Sequence, residues 1–313
     1  MAESAALTLP VISERRQRNF YVDVLRRLVK EKPLGLVGAI LVVGFLLMAI
    51  MAPLIAPFGS SQLGAGARLT GPSASNLFGT DNLGRDVFSR VVYGARVSMT
   101  IGFLAVFIST VISLTIGVLS GYFGGIIDML SQRLVDGFQA FPALVFLIAV
   151  GGIFTDAQIP GLPDRGLFAT RVVVLIFSLG ILFGVGSSRI IRSATLSVKS
   201  STYVEAARAT GASHSRLILV HVVPNIMAPT ITIATLGLGG VILTEAGLAF
   251  LGLSVPPDVV TWGGMLRTEA RTYMGEAPWL AIFPGLALSL AVFGFNMLGD
   301  ALRDLLDPRL RTQ

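Results

Sequence analysis

The amino-acid sequence predicts an all-α polytopic membrane protein with six transmembrane helices and both termini in the cytoplasm. Of the 313 residues, 53% are hydrophobic and 13% are charged, whereas soluble domains carry about 25% charged residues. Six uncharged stretches have the length of about 17 to 25 residues that a spanning helix needs. Lys and Arg concentrate in alternate segments between these stretches.

The first stretch differs from the others in following a basic N-terminal segment. It is longer than the apolar core of a cleavable signal peptide, so we interpret it as a retained anchor. The predicted spans lie at residues 34–56, within 97–127, and at 137–155, 172–188, 222–244 and 277–299.

An apolar pattern with helical spacing precedes the second span. Val87, Val91 and Ala95 recur at this spacing, on the side opposite Ser89 and Arg90. The pattern fits a short interfacial helix in the outer loop. It fits equally the first turns of the second span.

The basic residues set the predicted orientation, because cytoplasmic loops carry an excess of Lys and Arg. With six spans, both tails and the segments 123–136 and 189–221 share one side, which holds 16 of the 24 basic residues. The opposite side holds 8. We therefore place this first side in the cytoplasm and expect a multi-pass protein of the cytoplasmic (inner) membrane.

The composition excludes several classes of function. The chain has no Cys and only two His, so no disulfide, metal site, cofactor or His-based catalytic centre is expected. Its net charge of +6 is spread over short loops beside apolar stretches, which indicates membrane lipid rather than nucleic acid. No Gly-x-x-x-x-Gly-Lys-Ser/Thr segment that could hold ATP phosphates occurs. We predict no catalytic residue and no enzymatic activity in this chain.

A polar insert, YVEAARATGASHSRLILVHVVPN at residues 203–225, separates the fourth and fifth spans. Thr202 and Glu205 have the spacing of a capping box, in which each side chain bonds the other's backbone amide. Gly211 suits the left-handed position that ends a helix. We therefore predict a short Ala-rich helix, followed by a second helix from about Ser213.

Two interpretations of this insert remain open from its residues. The Ala-rich helix is either a linker hairpin or a docking helix whose small side chains let another protein approach its backbone.

The segment EAARATGASHSRLILVHVVPN resembles the EAA loop of ATP-binding-cassette importer permeases, which carries a coupling helix that docks in a cleft of the cytoplasmic ATPase. The matching positions are Glu205, Ala206, Ala207, Gly211 and Pro224, with Asn225 next. The resemblance implies that Pro224 and Asn225 support the loop and the next span. It implies that the ATPase-docking residues are Tyr203, Glu205, Ala206, Ala207, Ala209, Thr210 and Gly211.

Three further stretches resemble the C-type permease subunits of dipeptide, oligopeptide and nickel importers. They are LFGTDNLGRDVFSRVVYGARVSMTIG at 77–102, TEAGLAFLGLSVPP at 244–257 and FNMLGDALRDLLDPRL at 295–310. The resemblance implies the transmembrane domain of a type I importer that moves di- or oligopeptides, with nickel or another small solute as the alternative. Implied partners are a B-type permease, two ATPase subunits that hydrolyse ATP, and an extracytoplasmic solute-binding protein.

These inferences divide the chain into five parts. A five-helix type I domain at 96–303 contains the coupling loop 193–221. The remaining parts are a cytoplasmic tail at 1–33, the anchor helix at 34–57, an outer loop with a short interfacial helix at 58–95 and a second tail at 304–313.

Glu245 lies inside the fifth apolar stretch, where an ionised carboxylate is costly and usually faces a cavity or a partner. It is a candidate gate or cavity residue; the alternative is a structural hydrogen bond near the outer interface. An ion-coupled transporter would need more such acids or broken-helix sites. An intramembrane enzyme would need a motif such as His-Glu-x-x-His, which does not occur.

Overall fold

The helical architecture expected from composition and hydropathy is confirmed in a computed structural model of the chain. It describes residues 20–154, 159–163, 166–256, 258–267 and 269–306, and no β-strand occurs in these ranges. The first 19 residues and the last seven, which make up most of the two predicted tails, lie outside the described residues.

Thirteen α-helices follow one another in the described ranges, joined by turns and irregular loops. They are α1 Phe20–Glu31, α2 Pro33–Ile50, α3 Ala52–Ile55, α4 Val87–Phe123, α5 Gly125–Gln139, α6 Ala143–Ile153, α7 Thr170–Lys199, α8 Thr202–Ala209, α9 His214–Arg216, α10 Met227–Leu251, α11 Trp262–Arg267, α12 Glu269–Tyr273 and α13 Trp279–Leu306. A π-helical turn, Leu217–Val222, and a 3₁₀ turn, Val223–Ile226, join α9 to α10.

Five helical segments of the described chain are long and apolar enough to cross a bilayer. They are α2, α4, α7, the run His214–Leu251 and α13. The helices α5 and α6 meet the same criterion only together, and they are bent by 80° where they join. The described part of the chain therefore contains five continuous candidate spans, and a sixth if this bent pair counts as one.

The predicted third span, residues 137–155, is wrong as a single continuous helix. Only the 11 residues of α6 are apolar helix there, and α5 occupies most of the predicted loop 123–136. Pro142 precedes α6 as its N-cap; because proline cannot donate a backbone hydrogen bond and disfavours helix in the residue before it, the helix breaks there.

The apolar pattern before the second span belongs to that span and not to a separate interfacial helix. The helix α4 is continuous over 37 residues, or about 55 Å at about 1.5 Å per residue. Asp86 caps it by accepting a hydrogen bond from Ser89 N at 2.8 Å. Val87 and Ala95 are fully buried, so the predicted stripe faces the protein core.

The helices α4 and α7 pack closely because each carries glycines four residues apart. A Cβ atom added to Gly117 of α4 would lie 2.7 Å from Ser188 O, and one added to Gly184 of α7 would lie 2.8 Å from Ser109 O. Gly121 likewise lies on the α7 backbone. Small residues at this spacing allow helices in membranes to approach closely, so α4 and α7 form one tightly packed pair.

The largest hydrophobic cluster of the described residues joins α2, α4, α7, α10, α11 and α13. Trp262 is fully buried in it, donates from Nε1 to Val91 O at 3.0 Å and packs against Phe45 with the two rings in a T-shaped arrangement. At the opposite end of the bundle, Lys32 and Asp304 form an ion pair of 2.5 Å. These contacts hold together the bundle of long helices from which the α8–α9 segment projects.

Candidate functional site

The N-terminus of α8 differs from the predicted capping box. Ser201 is the N-cap, and its hydroxyl donates to Val198 O at 2.6 Å, so no side chain caps the helix. Thr202 is already the first helical residue, which places Glu205 one position too far along the helix to complete a box. The predicted capping box is therefore wrong. Because α7 ends only two residues before Ser201, this serine lies in the turn between the two helices and becomes the N-cap of α8.

The C-terminus of α8 agrees with the prediction. Gly211 has a φ of +84°, in the left-handed region. Gly211 N donates to Arg208 O at 3.0 Å and Ala212 N donates to Ala207 O at 3.1 Å. This pair of bonds is the usual glycine termination of an α-helix, and it sets the direction in which α9 begins.

One face of α8 is buried against the protein. Val204 is the one buried residue of α8 and is fully inaccessible to solvent. It packs with Tyr122, Leu217 and Val222. Ala207 is half-buried against the same cluster. Ala207 therefore lies on the inner side of α8.

The opposite face of α8 is exposed and formed by small residues. Thr202, Ala206 and Ala209 are all exposed and lie within about 60° of the direction opposite Val204, at about 100° per residue. Of the predicted docking residues, those with exposed side chains or backbone are Tyr203, Glu205, Ala206, Ala209, Thr210 and Gly211. We call Thr202, Ala206 and Ala209 the small-residue stripe.

Pro224 and Asn225 lie in the 3₁₀ turn that leads into α10. Pro224 has no N–H and cannot continue the helical hydrogen-bond pattern. Asn225 Nδ2 donates to His221 O at 2.7 Å, so its side chain bonds the backbone on the other side of the proline. Both residues lie on the path from α9 into the span, and their supporting role stays a prediction.

Glu245 is buried inside this subunit, with 1% of its surface exposed. Ser254 Oγ donates to its Oε1 at 2.8 Å, and Thr261 is its second hydroxyl neighbour. Oε2 has no hydrogen bond within the described part of the chain. The carboxyl group thus connects the C-terminal half of α10 with the loop that leads to α11.

If the chain is a transport permease, as the resemblance implies, and Glu245 serves structure or gating, Glu245→Gln should change the rate of transport more than the choice of solute. The amide keeps the size of the side chain and one oxygen that accepts from Ser254. Loss or change of one hydrogen bond of about 0.5 to 1.5 kcal/mol corresponds to a roughly two- to tenfold change in rate. Uptake of competing solutes by the reconstituted assembly measures both quantities, with the exposed Glu276→Gln as control; a clean shift in preference would favour a pocket role.

An ion cluster at the N-terminal end of α4, which is the outer end in the predicted orientation, was missed by the sequence reasoning. Arg85 Nε contacts Asp81 Oδ2 at 2.6 Å, and its other end pairs with Glu269. Arg90 lies 3.6 Å from both acids. The spacing of Asp81 and Arg85 gave a local signal, but Glu269 is 184 positions further along the chain and could not be assigned to the cluster.

A second set of ion pairs holds α5 against α7. Arg192 donates to both oxygens of Asp128, at 2.5 and 2.6 Å. Arg189 pairs with Asp136. Val135 is the one buried residue of α5, and the two ion pairs link this helix to α7.

A cleft of about 560 Å³ opens between α6, α7 and α10. Its walls are mostly apolar, with Ser187 and Thr244 as the hydroxyl groups. The lining residues are Ala143, Leu144, Leu182, Phe183, Gly186, Ser187, Leu243, Thr244 and Gly247. The sequence alone did not indicate which helix faces form it.

Two family models match the chain. Residues 113–312 match the family described as binding-protein-dependent transport system inner membrane component. Residues 19–72 match the N-terminal TM domain of oligopeptide transport permease C.

Curated relatives cover nearly the whole chain. The dipeptide transport system permease protein DppC of Alkalihalophilus pseudofirmus is 40% identical over 90% of this chain and 88% of its own length. The glutathione transport system permease protein GsiD of Pectobacterium atrosepticum is 35% identical over 97% of this chain and 96% of its own length.

A solved structure shares the fold. The inward-facing MetNI methionine ABC transporter matches with a TM-score of 0.54 and 18% identity, over 70% of this chain and 96% of that chain. At this level of identity the similarity concerns the helical fold alone.

Proposed function

The chain belongs to the family of binding-protein-dependent transport system inner membrane components, and we propose that it is the permease subunit of an ATP-driven importer of short peptides. The observation that carries the solute class is the 40% identity to a dipeptide permease along 90% of the chain. The glutathione permease supports the same class, since glutathione is also a short peptide.

We infer that the small-residue stripe of α8 is the surface on which a separate ATPase subunit docks. Its exposed side chains are short, so a partner can approach the α8 backbone closely. Val204, on the other face, anchors α8 to the bundle. This division of faces supports a docking helix over a simple linker.

We infer that a second, B-type permease completes the transport path. The cleft between α6, α7 and α10 is only partly enclosed by the described residues, and its mostly apolar wall carries two hydroxyl groups, Ser187 and Thr244, for a polar solute. An extracytoplasmic binding protein would deliver the peptide to the two permeases. Closure of two ATPase subunits around ATP would then move α8 and change which side of the path is open.

The proposed orientation places the α8–α9 segment and both termini in the cytoplasm, because 16 of the 24 basic residues lie on that side. A reporter that works only in the cytoplasm should be active when fused to either terminus or inserted at Ser200. The same reporter should be inactive at Ser73, in the outer loop. Activity at Ser73 would overturn the orientation.

Reconstitution in vesicles tests the proposed function as a whole. The chain alone should bind no ATP and drive no uptake. Together with the second permease, both ATPases and the binding protein, it should accumulate a labelled dipeptide in an ATP-dependent way. ATP-driven uptake by the lone chain, or no peptide uptake by the full assembly, would contradict the proposal.

A further inference from the structure

Tyr122 occupies a fixed position at the inner end of α4. It is the penultimate residue of that helix and is 3% exposed. The preceding Gly121 lies directly on α7, where an added Cβ would be 2.9 Å from Arg192 O. Gly124, with a φ of +71°, ends α4 just after Tyr122. The position of this side chain is therefore set by the closely packed pair α4 and α7.

From this position Tyr122 contacts both arms of the α8–α9 hairpin. Its ring packs with Val204 of α8 and with Leu217 after α9. Its hydroxyl is hydrogen-bonded to Nδ1 of His214, the first residue of α9, at 2.9 Å. One side chain of α4 thus holds the hairpin on either side of Gly211.

The two kinds of contact act differently when α8 is displaced. Apolar packing against Val204 is non-directional, so the hairpin could slide over the Tyr122 ring at small cost. A hydrogen bond depends steeply on distance and angle, so it fixes the hairpin against α4. Lys199, with its ammonium 5.8 Å from the ring centroid of Tyr122, adds a contact from the end of α7.

We propose that the Tyr122 hydroxyl and His214 form a latch that makes α4 move together with the α8–α9 hairpin. The inference rests on the proposed function of α8 as the docking site for the ATPase. Tyr122 is then a positioning residue for coupling: it contacts neither peptide nor ATP, but it transmits the displacement of α8 to α4. Because α4 reaches the outer ion cluster through Arg90, that displacement extends across the membrane.

The test measures coupling in the complete assembly of two permeases, two ATPases and binding protein in vesicles. In Tyr122→Phe the ring and its packing remain and only the hydroxyl is lost. We expect normal assembly, normal ATPase content and normal basal ATP hydrolysis. Peptide imported per ATP hydrolysed should fall by roughly fivefold, the factor that one net hydrogen bond contributes.

Further variants separate a latch from a general structural defect. His214→Ala should show the same loss, and the double variant should lose no more than either single variant, because both remove one interaction. His214→Gln, which keeps a polar end group, should recover part of the coupling. Tyr93→Phe, on the same helix, should retain wild-type coupling.

Wild-type coupling in both single variants, or losses that multiply in the double variant, would overturn the latch. The docking proposal is tested independently by Ala206→Arg. If that variant releases the ATPase while Tyr122→Phe couples normally, only the latch is refuted. If Ala206→Arg keeps the ATPase bound and active, the docking surface itself has been misassigned.

Discussion

Ala206→Arg is expected to abolish stable association between this chain and its ATPase. Ala206 is exposed and lies about 200° around the helix from the buried Val204. A long charged side chain at the centre of the small-residue stripe would hold the partner away from the α8 backbone. It would also leave a charge unpaired in a contact surface, which costs several kcal/mol unless the charge is compensated.

The membrane part of the protein should be unaffected by this change, because Ala206 makes no contact in the buried cluster beneath α8. Purification of the assembly and counting of bound ATPase subunits measure the effect. The matched control is Ala67→Arg, an exposed alanine in the loop before α4, which adds the same side chain away from α8 and, in the proposed orientation, on the other side of the membrane. Full ATPase content and peptide-stimulated hydrolysis in Ala206→Arg would show that α8 is not the docking surface.

Ala207→Arg has a different expected result, although the sequence placed both alanines among the docking residues. Ala207 is half-buried against the cluster of Val204, Tyr122 and Leu217. Arginine there would disrupt the packing of the α8–α9 hairpin on this cluster, whereas the exposed face of α8 would keep its side chains. We expect reduced stability of the hairpin, visible as increased proteolysis in the α8–α9 segment, in addition to any loss of ATPase.

The sequence predicted most of the spans because their signal is local. A long uncharged stretch can satisfy its backbone in a bilayer only as a helix, so α2, α7, α10 and α13 follow from length and hydropathy. Length and hydropathy did not predict the bend between α5 and α6. Hydropathy averages over Pro142, whereas the hydrogen bonds of the helix cannot run through it.

The candidate site was predictable only where single residues decide the geometry. Gly211 is such a residue, since few others adopt its left-handed backbone. The alanines of α8 lie on several faces of the helix, so they do not predict which face is buried. Val204, its one buried residue, determines the orientation of α8 by packing on Tyr122. That contact joins positions far apart in the chain, which the local pattern of α8 does not reveal.

Gly211→Val is expected to uncouple the transporter while leaving it assembled. The φ of +84° at this position costs a residue with a Cβ atom roughly 1–2 kcal/mol, and branching at Cβ adds to the cost. A Cβ atom here would meet no other atom within 4 Å, so the effect arises from the backbone alone. Relief of the strain requires the bond from Ala212 N to Ala207 O to break.

Once that bond breaks, α9 starts in a different direction and His214 moves away from Tyr122, while the outer face of α8 is unchanged. ATPase subunits should therefore still bind, but peptide imported per ATP hydrolysed should fall by about tenfold, which corresponds to about 1.4 kcal/mol. Gly211→Asn is the matched control, because asparagine tolerates the left-handed conformation and should lose less than about twofold. Equal and normal coupling in both variants would mean that the direction set at Gly211 is immaterial and that the insert only links two spans.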